Sequence, residues 1–144
     1  MSQQPVPQAQ QETTTQVIKM FVKARKEDSK IVWDLDDKDP PSKGKKKITL
    51  APDSGEHLIV FHLVAAQGLK IDFNQSDPIW VVEGGTCPPP TNSKSDQIDV
   101  IECKKNKLEI TNFNEGKPRR LTYQLNFIGA EPCDPVIENG GGNH

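Results

Sequence analysis

Two segments near the N-terminus alternate apolar and polar residues. Between residues 17 and 24 every even-numbered position is apolar, and Ile31, Trp33 and Leu35 repeat the alternation in a second segment. A period of two is typical of a β-strand with one buried face. The polar stretch 26–29 between the two segments has the composition of a hairpin turn, so the pattern predicts a pair of neighbouring strands.

The most apolar run is HLIVFHLVAA at residues 57–66. Both of its faces are apolar, and its β-branched and aromatic residues favour a strand over the competing interpretation as a helix. We therefore predict a central strand here. The cleanest alternation is at residues 120–128, where polar residues separate the apolar ones. The apolar side of that segment consists of Leu121, Tyr123, Leu125 and Phe127.

Shorter apolar segments follow the same pattern elsewhere, and none of the twelve prolines falls inside a predicted strand. Proline interrupts strand pairing, so this distribution supports the assignment. About eight or nine short strands predict an all-β fold, an antiparallel β-sandwich. We place the sandwich at residues 15–138. Residues 1–14 are rich in Gln, Thr and Pro and predict a disordered arm, and residues 139–144 predict a flexible glycine-rich tail.

Composition narrows the classes of function. The formal net charge is −2 and the hydrophobic fraction is 33%, so we expect no nucleic-acid partner and no membrane span, which needs about 18 consecutive apolar residues. The start of the chain lacks the basic and apolar segments of a signal peptide, which predicts a cytoplasmic protein. Cys87, Cys103 and Cys133 lack the spacing of a zinc site, so we expect reduced thiols, no metal and no cofactor.

Three Asp-Pro pairs, beginning at Asp39, Asp77 and Asp134, carry the chemistry that the sequence suggests. The aspartate carboxylate can attack its own main-chain carbonyl, because the two groups belong to one residue and their effective concentration is very high. The attack forms a cyclic anhydride and expels the proline nitrogen. Water then completes chain cleavage, whereas a lysine amine forms an isopeptide bond. An Asp-Pro pair is commonly a turn, and we expect that of the first two.

The third pair has a different context. The C-terminal segment CDPVIENGGGN and the preceding strand LTYQLNF resemble the small bacterial DP-EP family. The resemblance extends over roughly residues 15–142, and its most specific part is the C-terminal segment. It implies a β-sandwich that cleaves itself at the Asp-Pro bond near its C-terminus, assembles with itself, and links a lysine to the cleaved aspartate.

The resemblance assigns Asp134 and Pro135 to the bond that is cut. Lys117, ahead of the strand that leads back to Asp134, is the candidate acceptor, and Glu131, the nearest acid, is the candidate proton donor to the leaving nitrogen. We therefore predict an autocatalytic aspartic-type endopeptidase that acts on itself and assembles with copies of itself. The alternative is a non-catalytic binding or assembly module in which the long surface loops carry the contacts.

Overall fold

The computed structural model describes residues 16–51, 54–64, 68–84, 88–116, 119–133 and 136–139. These residues form eleven β-strands and no helix, which confirms the all-β prediction. The strands are β1 (Gln16–Glu27), β2 (Lys30–Asp36), β3 (Ile48–Leu50), β4 (His57–Val64), β5 (Asp72–Phe73), β6 (Ile79–Glu83), β7 (Ile98–Lys104), β8 (Lys107–Asn112), β9 (Arg119–Leu125), β10 (Phe127–Ile128) and β11 (Val136–Asn139). The predicted arm, and the predicted tail beyond Asn139, lie outside the described residues.

The strands form two principal sheets that face each other as a sandwich. One has five strands in the order β2-β1-β4-β8-β7, and the other has four in the order β3-β11-β9-β6. A two-stranded sheet joins β5 to β10. Most neighbours are antiparallel, as predicted, but β1 pairs with β4 in parallel and β3 pairs with β11 in parallel. The alternation of apolar residues reports which face is buried and carries no information on strand direction.

The first two strands form the predicted hairpin. Asp28 and Ser29, at the turn between β1 and β2, have positive φ angles of 52° and 71°. Two residues in the left-handed region are typical of a tight turn between antiparallel strands. The even-numbered residues Met20, Val22 and Ala24 of β1 are buried, as the alternation predicts.

The core lies between the two principal sheets. Phe61 of β4 and Tyr123 of β9 are both fully buried, and their ring centroids are 5.8 Å apart. Strand β4 is the central strand of the five-stranded sheet, as predicted. On the other face of that sheet His62 is half-buried and stacks on Phe21, with ring centroids 5.3 Å apart. A side chain of the same sheet therefore covers part of this outer face.

The strand predicted at residues 120–128 is interrupted, and on this point the prediction is wrong. β9 ends at Leu125, and β10 pairs with β5 in the small sheet. The break is at Asn126, whose main-chain N–H donates to the carbonyl of Pro78 and whose side-chain amide donates to the carbonyl of Asp77, both at 2.9 Å. The bond to Pro78 is in register with the β6–β9 ladder, but proline has no N–H to return, so the regular pairing of β9 ends at Leu125 although the alternation of apolar residues continues.

Candidate functional site

The predicted scissile pair, Asp134-Pro135, lies between two described segments. The pair itself is outside the described residues, as is the predicted acceptor Lys117. Residues on both sides of the scissile pair are described, and so is Glu131. The site is therefore characterised by the strands that border it.

Strand β9 borders both sides of the scissile pair. Before the pair, Cys133 and Leu125 exchange two main-chain hydrogen bonds, 3.0 Å from the Cys133 N–H and 2.6 Å from the Leu125 N–H. After the pair, Val136 lies opposite Thr122 in the antiparallel ladder of β11 and β9. The step from Cys133 to Val136 spans the same number of residues as the step from Leu125 back to Thr122. The two pairings therefore belong to one register along β9.

The segment that follows the scissile pair is an internal strand. β11 pairs antiparallel with β9 and parallel with β3. β9 pairs in turn with β6, so β9 and β11 are the two internal strands of the four-stranded sheet. A strand that is hydrogen-bonded along both edges does not leave a sheet readily, because its main-chain donors and acceptors would lose their partners together.

Both faces of β9 are buried from Leu121 to Leu125, whereas Arg120 is exposed. Its apolar residues are fully buried in the core, and on the opposite face Thr122 and Gln124 are only 2% and 5% exposed. The Thr122 hydroxyl donates to the carbonyl of Gly84, and the Gln124 side-chain amide donates to the side-chain oxygen of Asn126, both at 2.7 Å. Alternation predicted the polar face of this strand but not its burial. β9 is thus a buried, hydrogen-bonded strand that pairs with both flanks of the scissile pair.

Tyr123 adds a buried hydroxyl group to β9 that the sequence did not predict. Its side chain is fully buried, and its hydroxyl has no hydrogen-bond partner within the described residues. Burial raises the pKa of the Tyr123 phenol well above its ordinary value, and the Cys133 thiol raises it further. The hydroxyl is therefore protonated at neutral pH. The alternation of apolar residues predicted that Tyr123 lies in the core. It did not predict that its hydroxyl has no described hydrogen-bond partner there.

Glu131, the predicted proton donor, is exposed. Its main-chain carbonyl accepts a hydrogen bond from the indole N–H of Trp33 at 2.8 Å. That bond ties the segment ahead of Cys133 to β2 in the opposite sheet. The structure thus anchors the main chain of Glu131 while leaving the residue in contact with solvent.

Arg119, the first described residue after Lys117, lies far from Cys133, although it is only three residues along β9 from Thr122, which pairs with Val136. Arg119 pairs with Asn139, whereas Leu125 at the other end of β9 pairs with Cys133. β9 has seven residues, so its two ends are about 20 Å apart. Lys117 therefore precedes the end of β9 that is remote from Cys133.

The other two Asp-Pro pairs agree with their interpretation as turn or loop residues. The Asp77 carboxylate accepts a hydrogen bond from the indole N–H of Trp80 at 2.7 Å on one oxygen and from the Lys94 ammonium at 3.1 Å on the other. Both oxygens are engaged, which competes with any attack on the main-chain carbonyl of Asp77. Asp39 lies in the exposed loop that follows β2.

Cysteines and other potential ligands add little to this site. Among the described residues there is no group of three or more His, Cys, Asp or Glu side chains that could hold a metal ion. Cys103 and Cys133 are not joined in a disulfide, and Cys87 lies outside the described part of the chain. The described segments also contain no helix with the length and apolar character needed to cross a membrane.

Comparison with known proteins gives no family assignment. No protein-family model matches the chain, and no curated protein matches it. The DP-EP resemblance therefore stays a prediction that rests on the residues quoted above.

Proposed function

We propose that the chain is a β-sandwich that cleaves itself at the scissile pair. The observation that carries the proposal is the pairing of Cys133 with Leu125 on one side and of Val136 with Thr122 on the other. Both flanks of the pair are thereby tied to one internal strand. A main chain held at both ends loses little further conformational freedom on reaching the geometry of attack, and this favours an intramolecular reaction.

The proposed reaction begins when one carboxylate oxygen of Asp134 attacks the carbonyl carbon of the same residue. The C–N bond to Pro135 then breaks, and the proline nitrogen takes up a proton and leaves as a secondary amine. A five-membered anhydride remains on Asp134. Water opens the anhydride, which leaves two carboxyl groups on Asp134 and a free N-terminus at Pro135. Each chain reacts once, so the reaction is a single turnover.

The leaving nitrogen of Pro135 needs a proton, and two residues are candidates for its donor. Glu131 is close in sequence but exposed. Tyr123 lies on β9 between the two residues that pair with the flanks of the scissile pair, and its buried hydroxyl has no hydrogen-bond partner in the described part of the chain. We favour Tyr123 for its position between the two paired flanks and for its hydroxyl without a competing partner among the described residues, although the raised pKa makes its phenol a weaker acid than usual.

Cleavage would leave the two products associated. The hydrogen bonds of β11 to β3 and β9 do not depend on the Asp134-Pro135 bond. The peptide 135–144 would therefore remain in the sheet, and the protein would behave as one particle until it is denatured. If the peptide does leave, β3 and β9 lose a shared neighbour, and the exposed edges can recruit another chain.

The same anhydride allows transfer of Asp134 to a lysine. The amine attacks in place of water, and an amide to the lysine replaces the amide to Pro135. Because Lys117 precedes the end of β9 that is remote from Cys133, we propose hydrolysis as the main outcome in an isolated chain. Transfer to Lys117 is the competing outcome.

Denaturing mass spectrometry of the purified and aged protein tests self-cleavage. We expect two species whose masses sum to that of the intact chain plus one water. A sum equal to the intact mass indicates transfer to a lysine instead. Asp134→Ala should abolish cleavage, whereas Asp39→Ala, which alters another Asp-Pro pair in an exposed loop, should leave it unchanged. Native size-exclusion chromatography should show the two wild-type fragments eluting together.

Two outcomes contradict this proposal. A single unmodified chain after prolonged incubation excludes self-cleavage and favours the non-catalytic assembly module. Cleavage at the same bond in the Asp134→Ala variant excludes the aspartate as the attacking group.

Tyr123→Phe tests the proton donor. We expect cleavage to slow by at least about tenfold, with the melting temperature unchanged or raised, since the deleted hydroxyl makes no hydrogen bond to a described residue. Glu131→Gln is the matched variant for the other candidate and should have little effect. Slower cleavage in Glu131→Gln together with an unchanged rate in Tyr123→Phe reverses the assignment.

A further inference from the structure

Strand β7 is an edge of the five-stranded sheet. On its outer side the Gln75 side-chain amide donates to the Cys103 carbonyl at 3.2 Å, an exposed contact that a further strand can displace. β7 pairs with β8 and with no other strand among the described residues. Its middle residues are exposed, including two large apolar side chains, Val100 at 41% and Ile101 at 55%. An exposed strand edge that carries apolar side chains is a template for pairing with a further strand.

A β-bulge at Ile101 determines which faces the β7 side chains share. Val100 pairs with Ile110 and Glu102 pairs with Glu109, so Ile101 is an extra residue in the ladder. A bulge often protects an edge by twisting it, but the extra residue here is an exposed isoleucine. The bulge also shifts the alternation by one position. Residues on opposite sides of the bulge therefore share a face when an odd number of positions separates them.

This shift places opposite charges on one face of β7. Asp99 pairs with Thr111 and Lys104 pairs with Lys107. These two β8 residues alternate with Leu108 and Ile110, which face the core, so they lie on the outer face of the sheet, where Thr111 is nevertheless covered. Asp99 and Lys104 therefore share the outer face of the sheet. Both are exposed, and neither has an ion-pair partner within the described residues.

The core side of β7 carries the apolar groups. Val100 lies opposite Ile110, and Cys103 lies opposite Leu108, and both β8 residues are fully buried. Across the bulge, Val100 and Cys103 therefore share the face directed toward the core. On its outer face the strand carries Asp99, Glu102 and Lys104, and on its core side it carries Val100 and Cys103.

We propose that β7 pairs antiparallel with β7 of a second copy of this chain. The two five-stranded sheets would join into one continuous sheet across a twofold axis. A register centred between Ile101 and Glu102 sets Asp99 opposite the partner's Lys104 on the outer face. The same register sets Val100 opposite the partner's Cys103 on the core side. A parallel pair would instead set like charges side by side, so charge complementarity selects a second copy in this direction.

At the centre of the proposed interface Ile101 of each copy lies opposite Glu102 of the other copy, so two isoleucines and two glutamates meet there. Ile101 of each copy lies next to the axis, where its exposed side chain becomes covered. The two Glu102 carboxylates approach each other near the axis, and Lys107, whose ammonium lies 4.0 Å from the carboxylate of Glu102 and 3.0 Å from that of Glu109 in the same chain, offsets only part of their repulsion. A single strand edge buries less surface than a stable dimer requires, so we expect a reversible dimer with a dissociation constant on the order of 10 μM.

This interface goes beyond the proposed self-cleavage, because β7 is an open edge before any bond is cut. Dimers should therefore form equally well in the Asp134→Ala variant. That variant separates the two proposals: loss of cleavage with retention of the dimer supports both. Loss of the dimer in the folded Asp134→Ala variant would contradict the proposal that the β7 interface forms without cleavage.

Sedimentation velocity over about 1–500 μM tests the interface by charge reversal. Asp99→Lys and Lys104→Asp should each raise the dimer dissociation constant about tenfold, because each change turns two attractive contacts of the dimer into repulsive ones. The double variant, in which the two charges are exchanged, should return to within about threefold of the wild type. The wild-type dimer should also weaken at high salt.

A second pair of variants tests Ile101 at the centre of the interface. Ile101→Lys should raise the dissociation constant about a hundredfold. Ile128→Lys is the matched control, since Ile128 is equally large and 62% exposed but belongs to β10 in the small sheet. It should leave the dimer unchanged, and circular dichroism should show both variants folded.

Three results overturn the proposal. The first is a wild-type chain that is monomeric at the highest concentration. The second is a charge-exchanged double variant that associates more weakly than either single variant. The third is equal weakening by Ile101→Lys and Ile128→Lys, which would indicate an association that does not use β7.

Discussion

The two edges of the five-stranded sheet are treated differently by the fold. At the β2 edge, the Leu35 N–H donates to the carbonyl of Gly44 and the Lys46 N–H donates to the carbonyl of Leu35, both at 2.8 Å. A short segment of loop thus adds itself to β2 as a further strand would. At the β7 edge, no described segment pairs with the outer side of the strand. One edge is covered by its own chain, and the other has no further strand beside it in the described part of the chain.

The closed edge shows that a charged loop can act as a structural cover. The Asp34 carboxylate accepts hydrogen bonds from the Gly44 N–H and from Arg25 Nε, both at 2.8 Å. The Asp36 carboxylate accepts the main-chain N–H groups of Asp37 at 2.8 Å and Ser42 at 3.0 Å. The acidic residues of β2 therefore hold the loop against the edge. Natural sheets avoid unplanned association by covering edges in this way.

Among the substitutions that test the difference between the two edges, Asp34→Ala should have the largest effect. The substitution removes the buried acceptor that holds Gly44, so we expect a loss of about 2 kcal/mol in the free energy of unfolding. It also frees the loop from β2, and the variant should self-associate through an edge that is closed in the wild type. Urea unfolding and sedimentation velocity measure the two effects.

Asp37→Ala is the matched control for this change. Asp37 forms an exposed ion pair with Lys46 at 3.0 Å, and exposed pairs contribute little to stability. It should alter the free energy of unfolding by less than about 0.5 kcal/mol. If the two variants are equally stable, Asp34 does not hold the cover in place.

A smaller effect is expected from acid. Hydrogen bonds from the main-chain N–H groups of Ser42 and Asp37 lower the pKa of the Asp36 carboxyl from 3.8 to about 2. A lowered pKa means that the stabilisation is complete above about pH 4 and is lost as the pH falls toward 2. Asp36→Asn should therefore show a shallower fall in melting temperature between pH 4 and pH 2 than the wild type. An unchanged acid dependence would contradict the role of this carboxylate.

Much of the fold could be predicted because burial imposes a period of two on a strand. The alternation in β1 placed Met20, Val22 and Ala24 in the core, where they lie. The loop cover on β2 could not be predicted, since its bonds join main-chain groups and the loop composition indicates only a polar segment. The end of β9 at Leu125 was missed for a similar reason, because it depends on Pro78, which lies opposite Asn126 just ahead of β6 and has no N–H to donate.

The site was predictable to a different extent. The chemistry of an Asp-Pro pair is local to two residues, so it can be proposed from the sequence for Asp134. Partners at the site depend on the direction and register of β9. The distance along the chain therefore gave no indication that Lys117 precedes the remote end of β9. The unpartnered hydroxyl of Tyr123 likewise depends on what surrounds it in the folded core.

The parallel pairing of β11 with β3 also controls when the four-stranded sheet can form. Ile137 pairs with Ile48, and most of the domain separates them along the chain. Contacts between such distant segments form late in folding, because closing a long loop costs entropy before any pairing is gained. A reaction that depends on β11 lying beside β9 would wait for this step. Cleavage would then begin only after the sandwich is complete, and the chain would stay whole while it folds.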